Sequence, residues 1–292
     1  MNPLATLRPL KDRFLAAVDS IKINSISHRS HDGCEQIIKH RNGFAPPVAV
    51  LANLYFGAAH IPIRFQCRNV GWRDWEINCF RMLNHDRFQA IALDNTTICL
   101  DQLPGKNLFV YLTGGNMTRK IVRAAGRELR RAHGLWSEPM GGWWSHGDAS
   151  MSNMIYDGST DRVRLIDFEM KHEKSLPADV RQADDLLVFL LDLLGYVPHR
   201  RWLPLAGAFL RTYARPEVIA QLRPRLVAPR GIAKIWWNVR TNAVDPRKVA
   251  RRLEELGQAL DAGEILTTPK PASKAKRSGF ARRGASRTFA MQ

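Results

Sequence analysis

WSHGDASMSNMIYDGSTDRVRLIDFEM runs from residue 144 to residue 170. It sets His146-Gly147-Asp148 ahead of Asn153, then places Asp167 in Ile-Asp-Phe-Glu at 166–169. MIY, from Met154, and VRLIDFE, residues 163–169, read as two short strands. The turn residues DGSTD, 157–161, join them as a β-hairpin. Asn153 stands at the entry to the first strand and Asp148 on the loop just before it. Strand pairing therefore brings Asn153 near the end where Asp167 emerges, and two carboxylates and a carboxamide converge from positions 19 residues apart. Ordinary polar turn chemistry explains each residue singly but not their joint spacing.

Phosphoryl transfer from ATP needs this set of donors. The transferred group carries dispersed negative charge, which the protein must position and stabilise. Mg²⁺ takes hard oxygen ligands, a carboxylate and a carboxamide among them. A further carboxylate orients the attacking hydroxyl and accepts its proton. HGDASMSN followed by IDFE resembles the catalytic loop and metal-binding Asp-Phe of the protein-kinase-like superfamily. The His-Gly-Asp form is similar to that of the aminoglycoside phosphotransferases and the Kdo kinases of lipopolysaccharide core synthesis. The resemblance implies an α+β, bilobal protein-kinase-like fold, with a small mixed β/α N-lobe and a larger, mainly helical C-lobe. It implies ATP and Mg²⁺ as cofactors, Asp148 as catalytic base, and Asn153 and Asp167 as metal ligands.

Outward from that centre the resemblance covers roughly residues 30–200. Lys39, at the end of QIIK, matches the lysine that pairs with ATP phosphates, and Glu76 in the next helix matches its ion-pair partner. TICLDQLPGKNL is similar to the strand and linker between lobes, which puts Asp101, Gln102 and Leu103 where adenine meets the chain. GRELRRAHGL is similar to the helix before the catalytic loop. Three departures stand out. SHRSHDG replaces a glycine-rich phosphate loop, 37 residues separate Lys39 from Glu76, and Glu169 occupies the position of a glycine.

Periodicity divides the rest of the chain. CEQIIKHR, residues 34–41, reads as a strand. Residues 44–63 carry no charged side chain, but three prolines and Asn53 interrupt them. Their clean apolar part falls short of the roughly 20 residues of a membrane span, so a buried or interface-lying helix is expected. Residues 72–83 have helical spacing, with Trp72, Trp75, Cys79, Phe80 and Leu83 on the apolar side. Residues 88–103 read as two strands meeting at Asp94-Asn95. A basic amphipathic helix covers 117–135. A strongly apolar helix covers 181–197, with Asp184 or Asp185 as its cap or as a brace for a loop. His146 is expected to hydrogen-bond backbone carbonyls and hold the catalytic loop. The lobes are then 1–105, with an N-terminal helix and an apolar insertion at about 44–65, and 106–262. Residues 263–292 read as a disordered basic tail; from Thr267 it has seven Lys or Arg and no acid.

The formal net charge is +17 and hydrophobic residues make up 45% of the chain. The charge favours anionic partners. The four cysteines form no Cys-x-x-Cys pair, which excludes a zinc or redox signature and fits a cytoplasmic location. The first 22 residues mix charge into a helical pattern, unlike a signal peptide.

Only 17 residues separate Asp167 from Asp184, and Ala-Pro-Glu is missing between them. Gly147 also replaces the arginine that reads a phosphorylated activation loop. The acceptor is therefore expected to be a small molecule or a glycan, anionic in view of the charge. Apolar insertion and basic tail together point to peripheral contact with an acidic membrane. An atypical RIO-like protein Ser/Thr kinase is the first alternative, and a pseudokinase scaffold or nonspecific nucleic-acid binder the second. No recognition helix, RNP motif or zinc spacing predicts specific nucleic-acid binding.

Overall fold

The computed structural model describes residues 23–265, apart from 32, 85, 86, 242 and 243. The expected N-terminal helix and the basic tail from Leu266 onward lie outside the described residues.

CEQIIKHR forms β2, Cys34–Arg41, in a four-stranded antiparallel sheet ordered β1-β2-β5-β4. The partners are β1, Asn24–His31, β4, Ala90–Ala92, and β5, Thr97–Asp101. Register fixes what β2 presents: Lys39 lies opposite Ile26 on β1 and Ile98 on β5.

The uncharged stretch becomes helix α1, Ala45–Ala58. Its presumed interruptions have other uses. Pro46 and Pro47 occupy the first turn, where the missing N–H has no helical partner to lose. Pro62 falls beyond the helix end. Asn53 donates through Nδ2 to the Phe65 carbonyl at 3.0 Å and accepts from the Phe65 N–H at 2.8 Å, which fastens strand β3, Ile63–Phe65, to the helix. Helix α2, Asn69–Asn84, buries Trp72, Trp75, Phe80 and Leu83 and carries Glu76 on that face.

Beyond the linker come β6, Lys106–Asn107, α3, Leu108–Thr113, and α4, Arg119–His133. Asn107 and Thr118 cap the two helices by accepting the N–H of Phe109 and of Ile121. A short hairpin, β7 (Trp136–Ser137) with β8 (Gly142–Trp143), leads to the loop that holds His146 and Asp148. The predicted hairpin is β9, Met154–Asp157, paired with β10, Arg162–Leu165. The second strand ends earlier than VRLIDFE implied, because Asp167 takes a left-handed backbone, φ 64°. β11, Met170–His172, then pairs with β3.

The remaining helices are α5, Ala178–Tyr196, α6, His199–Tyr213, α7, Pro216–Leu222, α8, Ala233–Arg240, and α9, Pro246–Asp261. α5 starts at Ala178, so Asp184 and Asp185 lie inside it and cap nothing. Leu186, Leu190, Leu191, Leu193 and Leu194 are fully buried, each contributing about 1.5–3 kcal/mol of hydrophobic stabilisation. α4 and α6 approach closely at Gly126, where an added Cβ would sit 2.7 Å from the Phe209 carbonyl oxygen.

One large core runs from α2 and the first sheet through α4, α5, α6 and α9. A smaller one gathers Phe56, Ile61, Ile63 and Met170 beneath α1, with Trp236 of α8 against it. Among the described residues no helix is long and apolar enough to cross a membrane.

Candidate active site

A cleft of about 620 Å³ opens between the sheet and the helical region. Lys39, Glu76, Asp101, Gln102, Leu103, Asp148, Asn153 and Asp167 all line it.

On the sheet side, Lys39 Nζ lies 3.1 Å from Glu76 Oε1 and 2.6 Å from Asp167 Oδ1. The chain between Lys39 and Glu76 folds out as α1 and β3 without disturbing the pair. Glu169 reaches the same ammonium at 3.1 Å and accepts from the Asn24 amide. One buried cation thus serves three carboxylates. Burial opposes the charge on Lys39, but Asp167, Glu76 and Glu169 outweigh it and hold its pKa well above the ordinary value. The acids divide the proton cost unequally. Burial raises Glu76 and pushes Glu169 up to about 7, while Asp167, closest to the ammonium, is held below its usual range against burial.

Asp101 ends β5, Gln102 and Leu103 begin the linker, and two of their polar groups are already used. The Gln102 N–H donates to the Glu35 carbonyl at 2.9 Å, and Asp101 Oδ2 accepts the Gln89 N–H at 2.7 Å.

The loop 146–153 is held from below by α5. Asp185 Oδ2 accepts the His146 N–H at 2.7 Å and Oδ1 the Gly147 N–H at 2.9 Å. Seven residues on, Asp192 Oδ2 accepts the Met151 N–H at 2.7 Å. That spacing puts both acids on one helix face, two turns apart. Gly147 has φ 91°, and an added Cβ would meet the Met170 carbonyl oxygen at 3.0 Å, so glycine is required there. His146 accepts the Asp148 N–H at Nδ1, 3.3 Å, and donates from Nε2 to the Ile166 carbonyl, 3.0 Å. Burial lowers the pKa of its imidazole. His146 therefore braces the loop, as expected from the sequence.

Asn153 donates through Nδ2 to both the backbone oxygen and Oδ2 of Asp148, each at 3.0 Å. Its Oδ1 is thereby turned from Asp148, and Asp167 presents its carboxylate from the facing turn. Among the described residues no cluster of three His, Cys, Asp or Glu side chains forms a metal cage. One carboxylate plus a carboxamide oxygen suits a cation that keeps water and phosphate oxygens as its other ligands, the habit of Mg²⁺.

Sequence reasoning missed Arg240. It arrives from α8 with Nη1 and Nη2 at 3.0 and 2.9 Å from the Asp184 carboxylate, and Nη2 reaches the Gly147 carbonyl at 3.4 Å. Burial pushes the Asp148 pKa up to about 7, with the Arg240 charge pulling it back. Asp184 is buried too, yet Arg240 and His172 hold its carboxyl well below the ordinary range. The paired acids at 184 and 185 and the lone Asp192 in a leucine run were the available signal, since buried charge demands a partner. Nothing in the local pattern around Arg240 marks it.

A second cavity, about 390 Å³, adjoins the first and shares Asp148 and Ser152 with it. Phe109, Tyr196 and Trp236 supply rings to its wall, and Asp192 and Arg240 its further charged groups.

A four-stranded sheet with a lysine–glutamate pair, a short linker, and a helical region carrying a braced Asp-x₄-Asn loop and an Asp on the next hairpin define the bilobal protein-kinase-like fold. No family model matches the chain, and no curated protein does. Solved structures do match. An ethanolamine kinase of Plasmodium vivax aligns over 88% of each chain at 10% identity, TM-score 0.45. WaaP in complex with acyl carrier protein aligns over 85% of this chain and 96% of that one at 16% identity, TM-score 0.38. The ADP-bound aminoglycoside phosphotransferase APH(2'')-Ib aligns over 88% and 99% at 12% identity, TM-score 0.36.

Proposed function

We propose that this protein is an ATP- and Mg²⁺-dependent phosphotransferase that phosphorylates a hydroxyl of a sugar or lipid-linked glycan. The observation that carries the reading is Lys39, paired at once with Glu76 and Asp167 in the cleft that Asp148 and Asn153 also line. A scaffold without chemistry has no need to gather these groups at one cavity.

In this reading Lys39, positioned by Glu76, binds phosphate oxygens of ATP, and Asp101 to Leu103 flank the base. Asn153 and Asp167 hold Mg²⁺, which when bound neutralises charge on the phosphates. Asp148 orients the acceptor hydroxyl and takes its proton as the oxygen bonds to the γ-phosphorus and ADP leaves. The second cavity takes the acceptor. Its rings suit the C–H faces of a sugar. Arg240 is the cation this lining offers an acidic group, and Asp184 already engages it, so the rings carry more of the recognition than charge does.

The protein-kinase alternative needs a platform for an extended peptide. After Asp167 the chain instead pairs β11 with β3 and turns into α5 at Ala178. That supports a compact acceptor.

The test is transfer from Mg-ATP to a panel of glycans, lipid extracts and proteins. Asp148→Asn is expected to fold normally and lose turnover by roughly 10²–10⁴. A variant that keeps most of its turnover rejects the role given to Asp148, and transfer confined to proteins rejects the glycan acceptor.

A further inference from the structure

We infer that α1 and the beginning of α8 form a docking surface for an anionic lipid bilayer. Helix α1 has no charged side chain along its 14 residues. Ala45, Ala49 and Phe56 face inward. Pro47, Val50, Leu51 and Leu54 face outward at helical spacing, and Leu51 and Leu54 are 66% and 65% exposed. Phe44, exposed at the N-cap, lengthens the stripe. Leaving such residues in water forgoes their burial, and a helix whose outer face meets only solvent carries charge there instead.

The surface continues onto α8. Tyr55, one turn after Leu51, donates its hydroxyl to the Ile232 carbonyl at 2.9 Å and accepts the Trp236 N–H at 3.1 Å. Ile232 and Ile235 are exposed, and so are the basic residues Arg230 and Lys234 between and before them. Large apolar side chains alternating with cations are what an interfacial helix offers to acyl chains and acidic headgroups.

Two observations favour a bilayer over another occupant. The chain carries a formal net charge of +17, so a second copy is repelled while an anionic surface attracts. The stripe is also narrow: a stable dimer buries about 800 Å² per partner over some 20–30 residues, and a bilayer has no such minimum. Seven of the chain's Lys and Arg, with no acid among them, lie between Thr267 and Gln292. α8 carries Trp236 and Arg240 on the wall of the second cavity, so docking would hold that cavity at the lipid surface. That link alone rests on the proposed acceptor; the docking surface stands apart from it.

The test is co-sedimentation of the full chain at physiological salt with two kinds of vesicle. One is phosphatidylcholine alone, and the other contains about 30% phosphatidylglycerol to give an acidic surface. The chain is expected to bind the acidic vesicles and not the neutral ones. Leu51→Glu with Leu54→Glu is expected to weaken binding by roughly tenfold or more, because two apolar anchors are lost. Leu51→Gln with Leu54→Gln removes the anchors without adding negative charge and is expected to act in the same direction. Both double variants should keep the wild-type melting temperature and response to Mg-ATP. Absence of binding to acidic vesicles overturns the inference. So does equal binding by wild type and the glutamine variant, which would mean that charge alone holds the protein. Concentration-dependent dimers that the variants abolish would assign the stripe to a second copy and overturn it too. Loss of a wild-type Mg-ATP response would count against the proposed chemistry and leave the vesicle result intact.

Discussion

Asp148 can serve as a base only when ionised, and its surroundings place that transition near neutrality. Burial pushes its pKa up to about 7 while Arg240 opposes the rise. The ionised fraction grows with pH, so kcat/KM should climb through about pH 7 and fall away below it. Arg240→Ala removes the opposing charge and should move this acid limb to higher pH, with Arg240→Lys lying between. A pH profile of kcat/KM measures both, and an acid limb that stays in place in Arg240→Ala would separate Arg240 from the base. Asp148, Asn153 and Asp167 were legible as residues because three oxygen donors at fixed spacing carry a joint signal. Arg240 was not, since it sits 92 residues after Asp148 and only the packing of α8 delivers it.

Among the elements, α5 shows how a pattern can reveal a helix and hide its purpose. The leucine run announces a buried helix, but with its start expected too late Asp184 and Asp185 read equally as caps or as loop braces, and Asp185 is a brace. In the folded chain Asp185 accepts from His146, Gly147 and His133, the last at 3.1 Å. Asp185→Ala leaves two loop N–H groups and an imidazole N–H without their acceptor, and should cost about 3–5 kcal/mol. Urea unfolding at neutral pH checks this, and a loss below about 1 kcal/mol would mean that water replaces the carboxylate readily. α1 teaches the same lesson. Its prolines and Asn53 look like breaks in sequence, yet two prolines begin the helix and Asn53 fastens β3.

At the scale of the whole molecule, the two regions are joined at several places, among them β3 paired with β11 and Lys39 paired with Asp167. The chain passes through Gln102 to Gly105, and α1 meets α8 through Tyr55 and through the Phe56 and Trp236 rings, 5.1 Å apart. The cleft lies between these connections, so a ligand that bridges Lys39, Asn153 and Asp167 should stabilise the molecule as a unit. Mg-ATP at a hundredfold excess over its Kd is expected to add about 2.7 kcal/mol, a rise of several degrees in Tm. Asp167→Ala should abolish most of that rise. Thermal unfolding with and without Mg-ATP reads it directly, and a wild-type Tm that does not move would leave the cleft without its nucleotide.

The sequence by itself determined the fold class, the hairpin that carries the catalytic loop, and the identity of the residues around the cleft. The hairpin follows from hydrophobic period, turn chemistry and spacing, which are local properties of the chain, and the rest from the resemblance that HGDASMSN and IDFE carry. Tertiary structure alone decided that Asp167 and Glu169 join the expected Lys39–Glu76 pair, and that Asp192 and Arg240 help Asp185 hold the loop. The physical reason is that charges in the interior must find partners, and burial selects those partners by distance in space, wherever along the chain they begin.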